Sequence, residues 1–431
     1  MRNLVAVLLL LSASPAWAET QTWVLSVDRW GNTERSTLTI EATGEALSGR
    51  LNNLAVEGRR EKDGLVFSAV DPDGARYRFE ASQTGDVLSG WADYPDTNTP
   101  DARARHAFTA QRLAIPTGPP QRRTYAPETF SNTFTAERAP VMVVRPGDVI
   151  ATWTIDSGGV DEHGRTVALY GNPQTGPFFI VGANPGDVLA IHIRKLALNR
   201  DYADSLDGIT SRAMPLGLAA RSAGLGQRVR WRLDRTAGTA RLENPPVGLK
   251  NYVVPVRPML GGVGVAPDFG FAPFSAGDTG RFGGNMDFNQ IGQGATLYLP
   301  VYQPGGLLFL GDGHALQGDG ETTQWALETS LDVEFSVEVL PSRALSSPRV
   351  ETADAITVIG QSSSLDEAVR AATGSMVQWL EQDYGLSVSE ASLILGTAAQ
   401  YRVVTLAGRN AGMALSLEKA LFRDLPRKPT K

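Results

Sequence analysis

Helical periodicity appears only beyond Ser364; before it the chain runs in short stretches of alternating apolar and polar residues, each cut off by glycine or proline. With Gly 45 and Pro 26 in 431 residues, tight turns recur too often for a bundle of long helices. Alternation with period two instead buries one face of a strand. The expected fold is mainly β with an α/β C-terminal part: a jelly-roll-like β-sandwich core preceded by a small β barrel or sandwich.

The chain divides along composition. Residues 1–18 carry Arg2, an apolar run Leu4–Leu11 and the small-residue pattern Ala16-Trp17-Ala18, which reads as a cleavable signal peptide. That run is too short to span a bilayer, and no later segment reaches the ~20 apolar residues needed. The mature protein is therefore expected to be soluble, to begin near Glu19 after cleavage near Ala18, and to be exported, to a bacterial periplasm or as a secreted protein. Residues 19–113 form a small β domain in which Leu47-Ser48-Gly49 returns as Leu88-Ser89-Gly90, the mark of two related hairpins closing on each other. Its Trp and Phe residues, with His106 beside Phe108, are read as core. The proline-rich stretch 114–129 reads as a linker.

From 130 to 345 the strands of the core follow, two of them launched by the same Pro-Gly-Asp turn, at Pro146-Gly147-Asp148 and Pro185-Gly186-Asp187. In the second, His192 alternates against Leu189, Ile191 and Ile193 and should face away from them. Residues 346–431 form the α/β part. There Ser364 with Glu367, and Ser387 with Glu390, have the spacing of helix N-terminal capping boxes, and Gly385 ends the first helix.

A net charge of −6 argues against nucleic acid or an anionic membrane surface as partner. Cys 0 removes disulfides, thiolate nucleophiles and cysteine-ligated metals. Esterase elbows, zincin helices, Walker loops and dinucleotide fingerprints are all absent from the sequence.

Three stretches could carry chemistry. RFGGNMDFNQ sets Asn285 and Asp287 two apart behind a Gly-Gly pair, and LGDGHALQGDGET collects Asp312, His314, Asp319 and Glu321 after an apolar strand. Asp156 ends the strand Val149–Ile155 and opens the glycine-rich loop with Asp161, Glu162 and His163. Carboxylate and imidazole at such spacings suit a divalent cation, and without metal the same groups suit proton transfer. The plain alternative for each is a solvated turn.

Taken together, GPFFIVGANPGDVLAIHI, MLGGVGVAP, GRFGGNMD, TLYLPVYQPGGLLFLGDGHALQGDGE and the following Leu327-Glu328-Thr329 resemble the acetamidase/formamidase family, in the family's own order, from about Phe130 to Phe422. The resemblance implies hydrolysis of a short linear amide to ammonia and a carboxylate. By motif it assigns catalytic roles to Glu321, Asn285 and Asp319. With no cysteine available, the economical mechanism adds a divalent cation, zinc or calcium, held by Asp287 and His314 with Asp156 or Asp312. In the expected mechanism Glu321 is the general base, and Asn285 or the metal holds the oxyanion. Family members often have a His where this chain has Phe282. The partner expected is a small amide, with no nucleic acid and no membrane insertion; a homodimer is an assembly the reading admits. The rival reading is a non-catalytic binding protein on the same fold.

Overall fold

The computed structural model describes residues 20–62, 64–99 and 102–428; the signal-peptide reading of residues 1–18 lies outside them. The chain forms two compact units, divided between Ala114 and Ile115.

The first unit is a closed antiparallel barrel of eight strands, from Gln21–Arg29 to Arg103–Arg112, with each strand paired to its neighbours in sequence. Its interior is filled by alternate residues such as Trp23, Leu25, Leu38, Phe67, Phe79 and Phe108. Phe67 stacks on Phe79, with ring centroids 4.7 Å apart. The repeated Leu-Ser-Gly has a steric reason. A Cβ on Gly49 would lie 1.9 Å from Thr39 O, and one on Gly90 1.9 Å from Glu80 O. Both glycines let the adjacent strand come close. His106 is buried here, within 3.1 Å of Asp28 O through Nδ1.

The second unit contains a six-stranded and a nine-stranded sheet. Side chains from both share one core: Phe178 of the first packs edge-on against Phe335 of the second, with centroids 5.1 Å apart. The Pro-Gly-Asp turns work as their chemistry predicts. Asp148 and Asp187 close turns onto the carbonyls of Arg145 and Asn184, and their carboxylates accept nearby backbone amides. Two features differ from expectation. Within the proline-rich stretch, Arg122–Thr124 joins the edge of the larger sheet, parallel to Val149–Thr154; an edge position tolerates neighbouring prolines. The C-terminal strands Ala355–Ser362, Ala411–Glu418 and Gln400–Val403 extend that same sheet.

Helix Leu365–Tyr384 is capped by the Ser364 side chain and ends at Gly385, with φ 71°. Helix Val388–Ala398 has the full Ser387–Glu390 capping box. Ala372, Met376, Trp379 and Leu380 pack the first helix against the sheet.

Candidate active site

The candidate residues meet because three strands of the six-stranded sheet lie side by side. Leu308–His314 pairs with Met259–Val265, which pairs in turn with Gly283–Asn285. The apolar strand expected to precede LGDGHALQGDGET in fact includes its opening residues. The strand runs on through Gly311-Asp312-Gly313-His314, and every residue from Leu308 to His314 is buried. Glycine alternates here because the opposite face is crowded. A Cβ on Gly311 would meet the Gln174 amide at 2.8 Å, and one on Gly313 would meet Leu331 Cγ and Thr329 O at 2.9 Å.

On the middle strand, Met259–Val265, lies Gly261, flanked by Asp312 and by Asp287 just past Asn285. A Cβ there would stand 2.4 Å from Asp312 Oδ2, 2.6 Å from Asp287 Oδ1 and 2.9 Å from His314 Cε1. The missing side chain leaves the space on which these groups converge. Ligand atoms of Asp287, Asp312 and His314 all lie within 4.8 Å of one another, as do those of His314, Glu321 and Glu328. Asp287 Oδ1, Asp312 Oδ1, His314 Nδ1 and Glu328 Oε2 are buried without a hydrogen-bond partner. Groups left like this carry a desolvation cost of about 1–3 kcal/mol each or more, unless something binds them.

The backbone is unusual at the same places. Asp287, Asp312 and Glu321 have φ of 49°, 56° and 41°, a left-handed conformation costing a non-glycine residue roughly 1–2 kcal/mol. Strain held at three buried acids is a recognised companion of function.

Supporting contacts fix the side chains. His314 Nε2 lies 2.9 Å from Glu328 Oε1 and 3.7 Å from Glu321 Oε1. Asn285 Nδ2 donates to Asp287 Oδ2 at 2.8 Å, and Asn285 Oδ1 accepts from Asn172 Nδ2 at 2.7 Å. Thr405 Oγ1 donates to Glu321 Oε2 at 3.3 Å. Burial raises the carboxyls of Asp287 and Glu321, and it pushes Asp312 up to about 8. The neighbouring carboxylates add to the effect on Asp287. For His314, burial pulls downward, but Glu328, Asp312 and the hydrogen bonds to Glu321 and Glu328 outweigh it, so the imidazole holds its proton well above the usual range. The cluster is thus a set of buried acids sharing protons.

Two expected residues are not brought into the cluster. Asp156 is buried, but its Oδ2 is bound by Arg200 at 2.7 Å and its Oδ1 accepts the Val160 amide at 2.8 Å. Both oxygens are committed, so its expected place as a metal ligand is corrected to that of a partner for Arg200. Asp319, expected to be catalytic, turns outward and is held by Arg402 at 2.6 and 2.9 Å and by Asn289 at 2.8 Å. Asp161 caps its own loop through the amides of His163 and Arg165. In contrast, Glu328, Gly261 and Asn172 belong to the site without having been singled out. Glu328 stood in the quoted Leu-Glu-Thr, but nothing local marks it as facing His314.

A cleft of about 360 Å³ opens onto the cluster, lined among others by Asn172, Asn285, Asp312, Glu321 and Glu328. The turn containing Asn285 and the loop containing Glu321 therefore share one polar pocket. At the same cleft Tyr170 and Trp325 lie with ring centroids 6.1 Å apart.

The fold has solved counterparts. A protein described as a predicted acetamidase/formamidase from Thermoanaerobacter tengcongensis is 27% identical, with a TM-score of 0.60, over 71% of this chain and 98% of that one. An acetamidase of Yersinia enterocolitica is 26% identical, with a TM-score of 0.61, over 71% and 94%. An acetamidase of Bacillus halodurans is 26% identical, with a TM-score of 0.59, over 70% and 99%. The sequence profile of the acetamidase/formamidase family matches residues 277–408. The match places residues 277–408 in the acetamidase/formamidase family. The stretch matched by the acetamidase/formamidase profile contains Asn285, Asp287, Asp312, His314, Glu321 and Glu328, and it excludes Asp156 and Gly261. No curated protein matches the chain. Where acetamidase/formamidase members often have histidine, Phe282 is buried and stacks on Phe274, with centroids 4.5 Å apart.

Proposed function

We propose that the chain hydrolyses the carbon–nitrogen bond of a short linear amide, releasing ammonia and a carboxylate, and that it does so as an exported protein. The observation that carries the reading is the convergence of Asp287 Oδ1, Asp312 Oδ2 and the His314 ring on the space left by Gly261, in a cluster whose Asp287 Oδ1, Asp312 Oδ1 and His314 Nδ1 have no partner and whose Asp312 lines a cleft with Asn285 and Glu321.

These residues suit a divalent cation: each of two carboxylates and an imidazole offers a buried ligand atom close to the others, and each has an atom without a partner. Asp287, Asp312 and His314 would hold it, with Glu328 orienting the imidazole through Nε2. Such an ion supplies Lewis acidity to the site and makes water a better acid.

The chain's own residues do the rest. Glu321 lines the cleft beside the cluster and takes the proton from the attacking water at a carboxylate oxygen. It then returns that proton to the departing nitrogen, which leaves as ammonia. Asn285 spends one amide hydrogen on Asp287 and keeps the second for the oxygen that becomes negative as the carbonyl carbon turns tetrahedral. Losing one such donor typically costs about 2.7–4 kcal/mol of transition-state stabilisation. Tyr170 and Trp325 flank the substrate's path.

Ammonia release measured over formamide, acetamide and longer linear amides tests the reading, before and after chelation and reconstitution with zinc or calcium. Turnover that Glu321→Gln lowers by about 10²–10⁴ is expected. Calorimetric binding of amides with no ammonia released would instead make the chain a binding protein on this fold.

A further inference from the structure

A second polar cavity, away from the acidic cleft, is built around Arg349. This guanidinium is only 1% exposed. It lies over the Trp379 ring at 4.9 Å from the centroid, and its Nη2 donates to the side-chain oxygens of Gln378 and Gln382 at 3.2 and 2.9 Å. Both partners are neutral, and Nε has no partner at all.

A buried cation normally has an anion beside it. Here the two carboxylates of the cavity are already committed. Asp383 is bound by Arg343, by the Trp379 indole at 3.0 Å and by Arg427 at 3.5 Å. Glu351 is bound by Lys419 at 2.7 Å and by the Tyr298 hydroxyl at 2.8 Å. Among the described residues no carboxylate hydrogen-bonds Arg349. The cavity wall carries Arg343, Arg349, Arg427 and Lys428 against Glu351 and Asp383, four positive charges to two negative. Burial, with Arg343 beside it, pushes the Arg349 guanidinium down to about 9, so its positive charge is the one left least supported.

The cavity holds about 660 Å³, within the roughly 300–1,000 Å³ typical of small-molecule sites. Val188, Leu340, Leu345 and Trp379 give it apolar wall beside the cations. We propose that this cavity binds an organic anion, a carboxylate or phosphate monoester carrying an apolar body, with its charged end against Arg349. Arg343 and Arg427 would close on the same end, since guanidinium groups match either oxyanion in two-pronged fashion.

Calorimetry on the full chain with benzoate and with phenyl phosphate, at matched ionic strength, tests this. Saturable binding of one equivalent of at least one probe is expected, and it should persist in chelated protein and in Glu321→Gln, which separates it from the acidic cleft. Arg349→Gln should weaken binding by about tenfold or more. Arg427→Ala, at the more exposed rim, should weaken it several-fold, and it serves if the buried variant does not fold. The proposal is overturned if neither probe binds saturably by about 10 mM. It is equally overturned if neither substitution alters binding. Inorganic phosphate binding as tightly as phenyl phosphate would refute the apolar part.

Discussion

His314 Nε2 lies 2.9 Å from Glu328 Oε1, both side chains buried, while Nδ1 of the same ring has no partner. One nitrogen is tied to a carboxylate and the other is left for a ligand. With the proton on Nε2, Glu328 both orients the ring and raises the basicity of Nδ1.

Glu328→Gln keeps the shape of this contact and removes its charge. Divalent-cation affinity, measured by competition with a chromogenic chelator, should fall by about 10–100-fold. Ammonia release at saturating metal should recover in part. Unchanged affinity would mean that Glu328 is packing only.

Gly261→Ala places a methyl group where Asp287, Asp312 and His314 converge. Cation binding and ammonia release should both be lost. The displaced side chains should lower stability by about 1–3 kcal/mol, as overpacking does. Thermal unfolding with and without zinc checks this, because the variant should lose the metal-induced rise in Tm.

The metal-free protein should be less stable at pH 8 than near pH 5. Burial raises the Asp312 carboxyl from its ordinary 3.8 to about 8, so its folded pKa lies above its unfolded one. The stability it contributes is complete below the unfolded value and is lost as pH climbs through the folded one. His314, whose pKa is also raised, acts with the same sign. Tm of chelated protein should therefore fall across this window, and Asp312→Asn should flatten the fall. Because the ligands must give up protons, added cation should restore more stability at the upper end.

Asp319→Asn should leave ammonia release within about twofold of the parent. Its carboxylate is half exposed and paired with Arg402, and such surface pairs contribute only about 0–1 kcal/mol. A loss comparable to that of Glu321→Gln would return Asp319 to the reacting groups.

Local chemistry made much of this readable from residues alone. The Pro-Gly-Asp turns, the capping serines 364 and 387 and the alternating strands each depend on neighbours in the chain, and they form as expected. Asp312 and His314 were legible as candidates because they stand two apart between glycines. That they lie within a buried strand was not, since burial is set by Met259–Val265 and Gln174–Ile180 on either side. Asp156 and Asp319 misled for one reason: a carboxylate beside a glycine looks alike whether it faces a pocket or an arginine far along the chain. Arg200 and Arg402 lie 44 and 83 residues away from them. Glu328 and Gly261 were missed because each matters only through what the fold sets opposite it.

The barrel of the first unit closes on itself, strand Gln21–Arg29 pairing with Arg103–Arg112. Ring closure consumes every hydrogen-bonding rim that an open sheet would offer. Another polypeptide cannot join it by adding a strand, so recognition there must be written in side chains. Trp91, half exposed beneath the stacked guanidinium of Arg105, is the kind of handle that remains.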